Sequence, residues 1–281
     1  MKIVNANGAS IPALGFGTFR MPGPDTQRMV EHVLRNGYRH IDTAQIYGNE
    51  ADVGDGILRS GIARADLFLT TKVWVENYSH HAFVASVDES LKKLKTDYVD
   101  LLLLHWPNDA VPLAEQIGAL NAVAKAGKVR HIGVSNFNRA LMREAARLSD
   151  LPLVNNQVEY HPYLDQSLVM ETAASLGMSV TAYYAMADGK ALSDPALKDI
   201  AGRHGKSIAQ IVLRWIVQQG LITLSKTVSE TRAAENAVIF DFALSQDEMA
   251  AIRALAQPKG RLVSPDGLAP VWDEAALTLG R

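Results

Sequence analysis

The segment RHIDTAQIYGNEADVG, from Arg39 to Gly54, places a carboxylate and a phenol directly after a short apolar stretch. Ile41 is followed by Asp42, and Tyr47 comes five residues later. Carboxylates and phenols are both side chains that exchange protons with substrates. The alternative is structural, with Asp42 capping a turn and Tyr47 packing as an ordinary amphipathic ring. This segment alone leaves both interpretations open.

Short apolar runs alternate with amphipathic segments along almost the whole chain, a pattern typical of repeated βα units around a parallel sheet. There are eight such runs, which is the number of strands in a closed barrel. The sequence therefore predicts an α/β fold, a (β/α)8 TIM barrel, with strands within residues 13–18, 38–42, 67–72, 98–105, 129–136, 153–159, 178–183 and 221–225.

Start signals predict helices between these strands, and a hairpin before them. Asn7-Gly8 lies between two short runs and predicts a β-hairpin that plugs the bottom of the barrel. Glycine and proline are scattered and no linker interrupts the chain, so residues 1–281 are expected to form a single domain. The helix start signals are an N-cap at Asp194-Pro195 and capping boxes at Ser207 with Gln210 and at Ser245 with Glu248.

The composition describes a globular chain with no features of a polyanion-binding protein. Of the 281 residues, 48% are hydrophobic and 21% are charged, and the formal net charge is -2. We therefore expect no nucleic-acid partner. The chain has no cysteine, which excludes disulfides, a catalytic thiol and a cysteine-ligated zinc. No apolar run has the length of a signal peptide or a membrane span, so no membrane partner is expected and the cytoplasm is the expected location.

Polar side chains end five of the eight predicted strands. In a barrel, active sites form at the carboxyl ends of the strands. Any one of these residues could be a turn former or a hydrogen-bonded core group, but together they exceed what packing requires and favour a site. They are Asp42, Lys72, His105, Ser135, Asn136 and Gln157.

Seven segments carry the motifs of one enzyme family, and they are GFGTFR, IDTAQIYGNE, TTKVW, LLLLHWP, IGVSNF, NNQVEYHP and SKTVSETRAAEN. In their order and separations they resemble the aldo-keto reductase family, and the match extends from the first hairpin to the tail. Within this family the chain is most similar to the short bacterial members grouped with 2,5-diketo-D-gluconate and methylglyoxal reductases. The tail segment RLVSPDGLAP contributes to that similarity.

The resemblance implies NADPH-dependent reduction of aldehydes and ketones by a tetrad of Asp42, Tyr47, Lys72 and His105. A hydride passes from the reduced nicotinamide to the carbonyl carbon, and the carbonyl oxygen receives a proton. Tyr47 is the expected donor, with Lys72 stabilising the phenolate and Asp42 holding the lysine in place. His105 is expected to hydrogen-bond the substrate oxygen and orient it.

The resemblance also implies residues that bind NADPH. Ser135, Asn136 and Gln157 are expected to hydrogen-bond the nicotinamide carboxamide, and Tyr183 to stack on the ring, although a core aromatic is the alternative for Tyr183. Thr18 and Asp42 are further expected contacts. The 2′-phosphate end is assigned to a helix that Ser229 would cap and to the residues before it, namely Lys226, Thr227, Arg232, Glu235 and Asn236. In the alternative interpretation, Lys226 and Arg232 are a solvated surface pair.

One segment departs from the family pattern. After the position of Tyr183, many members read serine-proline-leucine-glycine, whereas this chain reads YAMADGK from Tyr184 to Lys190. In the family that segment helps to clamp the pyrophosphate. Because this chain departs from it, the resemblance assigns no role to the side chains of Met186 and Asp188. No metal site is expected, because His80-His81 has no metal-ligand spacing.

Aromatic residues near the strand ends predict the wall of a substrate pocket. Phe19, Trp74 and Trp106 follow or flank strand ends and are expected to line it beside Tyr47 and His105. The final segment, with Trp272, is expected to fold over this pocket. The short tail and the resemblance to short bacterial members favour small activated carbonyls such as methylglyoxal or diketo-sugar acids, and a monomer is expected.

Two other functions stay open on the sequence. The first is a nucleotide-binding regulatory or partner protein on the same fold with little turnover, which the intact tetrad argues against. The second is an unrelated barrel hydrolase that uses Asp42 and another acid and works without nicotinamide.

Overall fold

A computed structural model of the chain describes residues 2–273. Its eight central strands run parallel and close into a barrel, which confirms the fold class predicted from the sequence. The single-domain prediction for residues 1–281 includes Met1 and residues 274–281, which lie outside the described residues, and it stays a prediction. The strands are β1 (Ile3–Ala6), β2 (Ala9–Pro12), β3 (Leu14–Gly17), β4 (His40–Asp42), β5 (Phe68–Val73), β6 (Val99–Leu104), β7 (Val129–Ser135), β8 (Leu153–Glu159), β9 (Ser179–Tyr183) and β10 (Ile222–Ser225).

Helices connect the barrel strands. Asp194, Ser207 and Ser245 cap three of them as expected, and Ser207 and Ser245 form complete capping boxes. No helix within residues 2–273 is long and apolar enough to cross a membrane. The helices are α1 (Gly23–Arg35), α2 (Glu50–Ser60), α3 (His80–Leu94), α4 (Leu113–Lys125), α5 (Arg139–Leu148), α6 (Ser167–Ser175), α7 (Pro195–His204), α8 (Ile208–Gln218), α9 (Glu230–Ala237) and α10 (Gln246–Arg253).

The first two strands form the expected hairpin and close one end of the barrel. Asn7 and Gly8 at its turn both have positive φ, 44° and 89°, as a type I′ turn requires. Ile11 packs with residues at the amino ends of barrel strands, including Phe68 and Ile222. The hairpin therefore fills the amino end of the barrel and leaves the carboxyl ends of the strands as the open face.

A buried carboxylate on β6 joins three neighbouring strands near the closed end. Asp100 is 3% exposed, and its Oδ2 lies 2.7 Å from Arg64 and accepts the Leu69 N–H at 2.9 Å. Its Oδ1 lies 3.1 Å from Nη1 of Arg130. Both guanidinium groups also pack on the ring of Tyr98, at 4.1 and 4.0 Å from its centroid. Two cations and one backbone donor thus depend on a single carboxylate.

We expect Asp100→Asn to lower the free energy of unfolding by about 3 kcal/mol, because it leaves Arg64 and Arg130 without their buried anion. Urea unfolding followed by circular dichroism measures this change. Asp150→Asn is the matched control, since it removes only the exposed partner of Lys125 and should cost under about 1 kcal/mol. Equal losses of unfolding free energy in the two variants would show that the Asp100 cluster stabilises the fold no more than a surface ion pair does.

Candidate active site

The four tetrad residues all lie at the open end of the barrel. Asp42 is the last residue of β4, and Lys72 is the penultimate residue of β5. His105 directly follows β6. Tyr47 ends a short 3-10 turn, Gln45–Tyr47, which the chain leaves through Gly48 at φ 70°. Two adjacent strands and the turn between them therefore supply the acid, the amine and the phenol.

Lys72 makes three hydrogen bonds that use its three ammonium protons. Its Nζ lies 2.5 Å from Oδ1 of Asp42, 2.9 Å from the Thr43 carbonyl oxygen and 3.3 Å from the Tyr47 hydroxyl oxygen. The side chains of Lys72 and Asp42 are only 1% and 3% exposed. The ion pair is therefore buried, and it fixes the cation within hydrogen-bond distance of the phenol.

Asp42 is held from the opposite side of the barrel as well. Nε2 of Gln157 donates to its Oδ2 at 2.7 Å. β8 has the bounds predicted from the sequence, residues 153–159, so Gln157 lies two residues before the end of its strand and does not end it as expected. The alternation of side chains along a strand still directs Gln157 toward Asp42. Both oxygens of the carboxylate are thus occupied.

Asn49 is a structural residue of this site to which sequence analysis assigned no role. Its Nδ2 donates to the Thr18 carbonyl at 2.9 Å, and its Oδ1 accepts from the Thr43 hydroxyl at 3.0 Å. Thr18 in turn donates its N–H and its hydroxyl to the Asp42 carbonyl, at 3.0 and 3.2 Å. The buried amide ties the ends of β3 and β4 together. Its position in the IDTAQIYGNE motif was the available signal.

His105 lies against the rings of Tyr47 and Trp74, with centroids 5.6 and 5.4 Å away in edge-to-face geometry. Burial and then the charge of Lys72 lower the pKa of His105 well below its usual 6.5. The ring is therefore neutral at pH 7 and carries one proton. Its Nδ1 is buried without a hydrogen-bond partner among residues 2–273.

The phenol of Tyr47 and the amine of Lys72 keep their protons at neutral pH. Burial raises the pKa of Tyr47 above its usual 10, while the charge of Lys72 acts in the opposite direction. Burial lowers the pKa of Lys72, but the charge of Asp42 and the hydrogen bonds to Asp42 and Tyr47 outweigh it, and the net direction is upward. The site thus holds a protonated phenol beside an ammonium ion.

A cavity of about 840 Å³ opens above these groups. Phe19, Trp74 and Trp106 line it on the side of Tyr47. The C-terminal segment folds over the same side and contributes the apolar side chains of Val263, Pro265 and Leu268. Small compounds that reach Tyr47 would therefore be surrounded by aromatic and aliphatic groups.

Four of the expected cofactor contacts form one hydrogen-bonded group in the cavity wall. The Ser135 hydroxyl donates to the Gln157 carbonyl at 2.7 Å, and Nδ2 of Asn136 donates to the His105 carbonyl at 3.0 Å. The Tyr183 hydroxyl donates to Oδ1 of Asn136 at 2.7 Å. Asn136 has φ 63°, so its orientation is fixed at a backbone cost. Ser135, Asn136, Gln157 and Tyr183 all line the cavity.

The expected 2′-phosphate residues lie together farther along the cavity. Ser229 caps α9 by accepting the Arg232 N–H at 3.4 Å, as the sequence predicts. Neither Lys226 nor Arg232 forms a salt bridge with any residue between 2 and 273, and both side chains are exposed. Two cations are therefore available to an anion. The expected residues that line this region are Lys226, Thr227, Arg232, Glu235 and Asn236.

The segment that departs from the family pattern forms a turn at the rim of the cavity. Tyr184, Ala187 and Asp188 have φ of 62°, 49° and 54°. Nη1 of Arg20 donates to the Tyr184 hydroxyl at 3.3 Å and lies 3.9 Å from the Asp188 carboxylate. Met186 and Asp188 both line the cavity. Arg20 offsets the one negative charge that this turn brings to the rim.

Comparison with proteins of assigned function identifies relatives along nearly the whole chain. The sequence model of the aldo/keto reductase family matches residues 13–257. Methylglyoxal reductase DkgB of Yersinia pestis is 44% identical over 94% of this chain and 100% of that protein. Glyoxal reductase of Bacillus subtilis is 40% identical over 93% of this chain and 95% of that protein.

Solved structures agree with these relatives. A crystal structure provisionally assigned as a 2,5-diketo-D-gluconic acid reductase B has 66% identity and a TM-score of 0.96, and the match covers 97% of this chain and 98% of that one. An aldo-keto reductase of Bombyx mori, solved in complex with NADP, has 32% identity and a TM-score of 0.88 over 93% and 94% of the two chains. The chain therefore belongs to the aldo/keto reductase family and is an oxidoreductase, as its seven motifs predict.

Proposed function

We propose that this protein reduces aldehydes and ketones to alcohols with NADPH, and that Tyr47 gives its proton to the carbonyl oxygen. The observation that carries the proposal is the buried contact of Asp42, Lys72 and Tyr47, with Lys72 Nζ 3.3 Å from the phenol oxygen. Bound NADPH would supply the hydride that the carbonyl carbon receives. The protein's own side chains would transfer the proton, stabilise the charge that develops and orient the substrate.

Tyr47 is suited to act as the acid because it holds its proton at neutral pH and faces a fixed cation. As negative charge develops on the carbonyl oxygen, the proton moves from the Tyr47 hydroxyl to that oxygen. The phenolate left behind is stabilised by the ammonium of Lys72. Asp42 keeps the lysine charged, since a buried ammonium without an anion would lose its proton.

His105 is suited to orient the substrate. A neutral ring with its proton on Nε2 keeps only a lone pair on the buried Nδ1 and can donate one hydrogen bond from Nε2. That donor would hold the carbonyl oxygen beside Tyr47, whose ring centroid is 5.6 Å away. This assignment gives His105 a role that needs no charge.

The cavity residues fit NADPH. A volume of about 840 Å³ exceeds what a small carbonyl compound needs and falls within the range of roughly 300–1,000 Å³ seen for larger ligands. Amide and hydroxyl groups of Ser135, Asn136 and Gln157 suit the nicotinamide carboxamide, and the ring of Tyr183 suits stacking. Lys226 and Arg232 suit the 2′-phosphate. The Thr18 hydroxyl donates to the Asp42 carbonyl at 3.2 Å, next to the expected nicotinamide site. The NADP complex of the Bombyx mori relative supports the same cofactor.

Small activated carbonyls are the proposed substrates. The space near Tyr47 is walled by Phe19, Trp74 and Trp106 and by the C-terminal segment. Relatives with the names methylglyoxal reductase and glyoxal reductase support this choice, as does the structure provisionally assigned as a 2,5-diketo-D-gluconic acid reductase. Methylglyoxal and diketo-sugar acids are therefore the first compounds to assay.

The two alternatives have weaker support. A hydrolase would need Asp42 and a second acid close to it. Both oxygens of Asp42 already accept hydrogen bonds. The other acids that line the cavity within the described residues are Asp188, at its rim, and Glu235, in the region expected to bind the 2′-phosphate. A regulatory nucleotide-binding protein would not need the complete tetrad. Consumption of NADPH that depends on added methylglyoxal separates the reductase from both. A monomeric state and a cytoplasmic location stay predictions.

We expect Tyr47→Phe to lower kcat for methylglyoxal at least about a hundredfold, because the proposed step takes its proton from the Tyr47 hydroxyl, which phenylalanine lacks. The affinity for NADPH, measured by fluorescence titration, should stay unchanged, since the hydroxyl acts on the substrate. Tyr98→Phe, at the closed end of the barrel, is the matched control. A Tyr47→Phe variant with more than about a tenth of wild-type turnover would rule out Tyr47 as the acid.

We expect kcat/KM for methylglyoxal to exceed that for a bulky steroid ketone, because the aromatic wall and the C-terminal segment limit the space near Tyr47. NADPH absorbance with a panel of aldehydes, ketoacids and sugar ketones measures both values. A higher kcat/KM for the steroid would contradict the proposed substrate class.

We expect Arg232→Ala to weaken NADPH binding by about one to two decades, because it removes a charge-assisted contact with the 2′-phosphate. NADH has no such phosphate and should bind the variant as it binds the wild type. Arg203→Ala, a change at an exposed arginine outside the cavity, is the control. Equal losses for the two cofactors would place Arg232 away from the phosphate.

A further inference from the structure

A buried carboxylate at the end of β8 holds the beginning of the C-terminal tail, which we define as residues 261–273. The Glu159 side chain has no exposed surface. Its Oε1 accepts the N–H of Leu262 at 2.7 Å, and its Oε2 accepts the N–H of Val263 at 2.9 Å. Nη1 of Arg261 lies 3.7 Å from Oε2. Three consecutive residues of the tail thus converge on one carboxylate.

His161 completes this cluster from the barrel side. Its Nδ1 accepts the N–H of Tyr163 at 3.3 Å, so its proton lies on Nε2. Nε2 therefore donates to Oε1 of Glu159, 3.0 Å away. The carboxylate is surrounded by donors, and its bonds to the tail are charge-assisted in a site that excludes water.

The far end of the tail is attached to the start of α5. Nδ2 of Asn138 donates to the Val271 carbonyl at 2.9 Å, and the Asp273 carboxylate accepts the Arg139 N–H at 2.7 Å. The Trp272 indole packs edge-on against Trp106, with centroids 6.3 Å apart. The tail is therefore fixed at both ends, and the part between them lies over the cavity.

We propose that Glu159 is a positioning residue that holds the tail against the substrate end of the cavity and so strengthens the binding of small carbonyl compounds. The proposal rests on the proposed function of the cavity. Val263, whose N–H bonds to Glu159, is itself part of the wall, and Pro265 and Leu268 follow within five residues. Loss of the anchor would move this wall away while leaving the tetrad in place.

Glu159 also links the tail to the cofactor side of the cavity. In the β8–β9 pairing it stands opposite Tyr183, the residue proposed to stack on the nicotinamide. The Tyr160 N–H next to it donates to the Tyr183 carbonyl at 3.1 Å. The anchor is thus built on the strand pair that carries Tyr183.

The first experiment compares Glu159→Gln with Glu248→Gln. A glutamine at 159 has one carbonyl oxygen, which can accept one of the two backbone N–H groups of the tail. Its amide nitrogen faces the second N–H group and cannot accept it, so one of the two hydrogen bonds to the tail is lost. Glu248 is a matched carboxylate, because it too binds a histidine, an arginine and a backbone N–H. It lies on α10 and makes none of these contacts with the tail.

Hydrogen exchange read by mass spectrometry reports the anchor directly. In Glu159→Gln we expect amides of the tail to exchange at least about tenfold faster than in the wild type, which corresponds to the loss of one charge-assisted hydrogen bond. Peptides from β4 and β5 should exchange as in the wild type. Glu248→Gln should leave the tail unchanged.

A second pair of variants changes the tail and leaves the barrel intact. Leu262→Pro removes the N–H that bonds to Oε1, whereas Leu262→Ala keeps it, and the Leu262 side chain is 50% exposed. We expect faster exchange of residues 263–273 in the proline variant only. This pair decides the question even if Glu159→Gln fails to fold.

Steady-state kinetics separate positioning from a purely structural role. In Glu159→Gln and Leu262→Pro we expect KM for methylglyoxal to rise about tenfold while kcat changes by less than about threefold, because the tetrad is untouched. Unchanged tail exchange in Leu262→Pro, or an unchanged KM in a variant whose tail exchanges faster, would overturn the proposal. A wild-type protein that reduces no carbonyl would instead overturn the proposed function, and the exchange data would still show whether Glu159 holds the tail.

Discussion

The buried ion pair between Lys72 and Asp42 is the interaction on which the rest of the site depends. An ammonium ion this deeply buried is stable only with a close anion and acceptors for its remaining protons. Asp42, the Thr43 carbonyl and the Tyr47 hydroxyl provide them, all from one strand end and the turn after it. Because Tyr47 is one of the three acceptors, the contact that stabilises the cation also places the cation beside the phenol.

The barrel explains how such a pair can form without weakening the fold. The hairpin fills the amino end of the barrel, and Asp100 with its two arginines joins the strands there. The carboxyl ends are therefore free to carry groups that packing does not favour. Supporting contacts reach across the open end, from Gln157 to Asp42 and from Asn49 to Thr18 and Thr43. Stability and chemistry thus lie at opposite ends of one sheet.

Local signals in the sequence were sufficient for the fold and for the position of the tetrad. All eight barrel strands, the Asn7-Gly8 hairpin and the caps at Ser207, Ser229 and Ser245 follow from periodicity and capping patterns, because neighbouring residues determine them. The polar residues at the strand ends marked the site for the same reason. The family resemblance, and no local pattern, supplied their roles.

Contacts between distant parts of the chain could not be predicted in this way. Gln157 bonds to Asp42 across 115 positions, and Glu159 bonds to the tail across 103 and 104 positions. Such pairs depend on how the barrel closes and on where the tail returns, and no spacing rule encodes them. The positive φ angles of Tyr184, Ala187 and Asp188 were not predicted from the sequence either, because none of these residues is a glycine.

The measurement that tests the central claim most directly is a double-mutant cycle on kcat for methylglyoxal with Lys72→Met, Tyr47→Phe and the combined variant. If Tyr47 donates its proton with the help of Lys72, the combined variant should lose no more activity than Tyr47→Phe alone. Losses that multiply would contradict the account, since they would show that the two residues act independently.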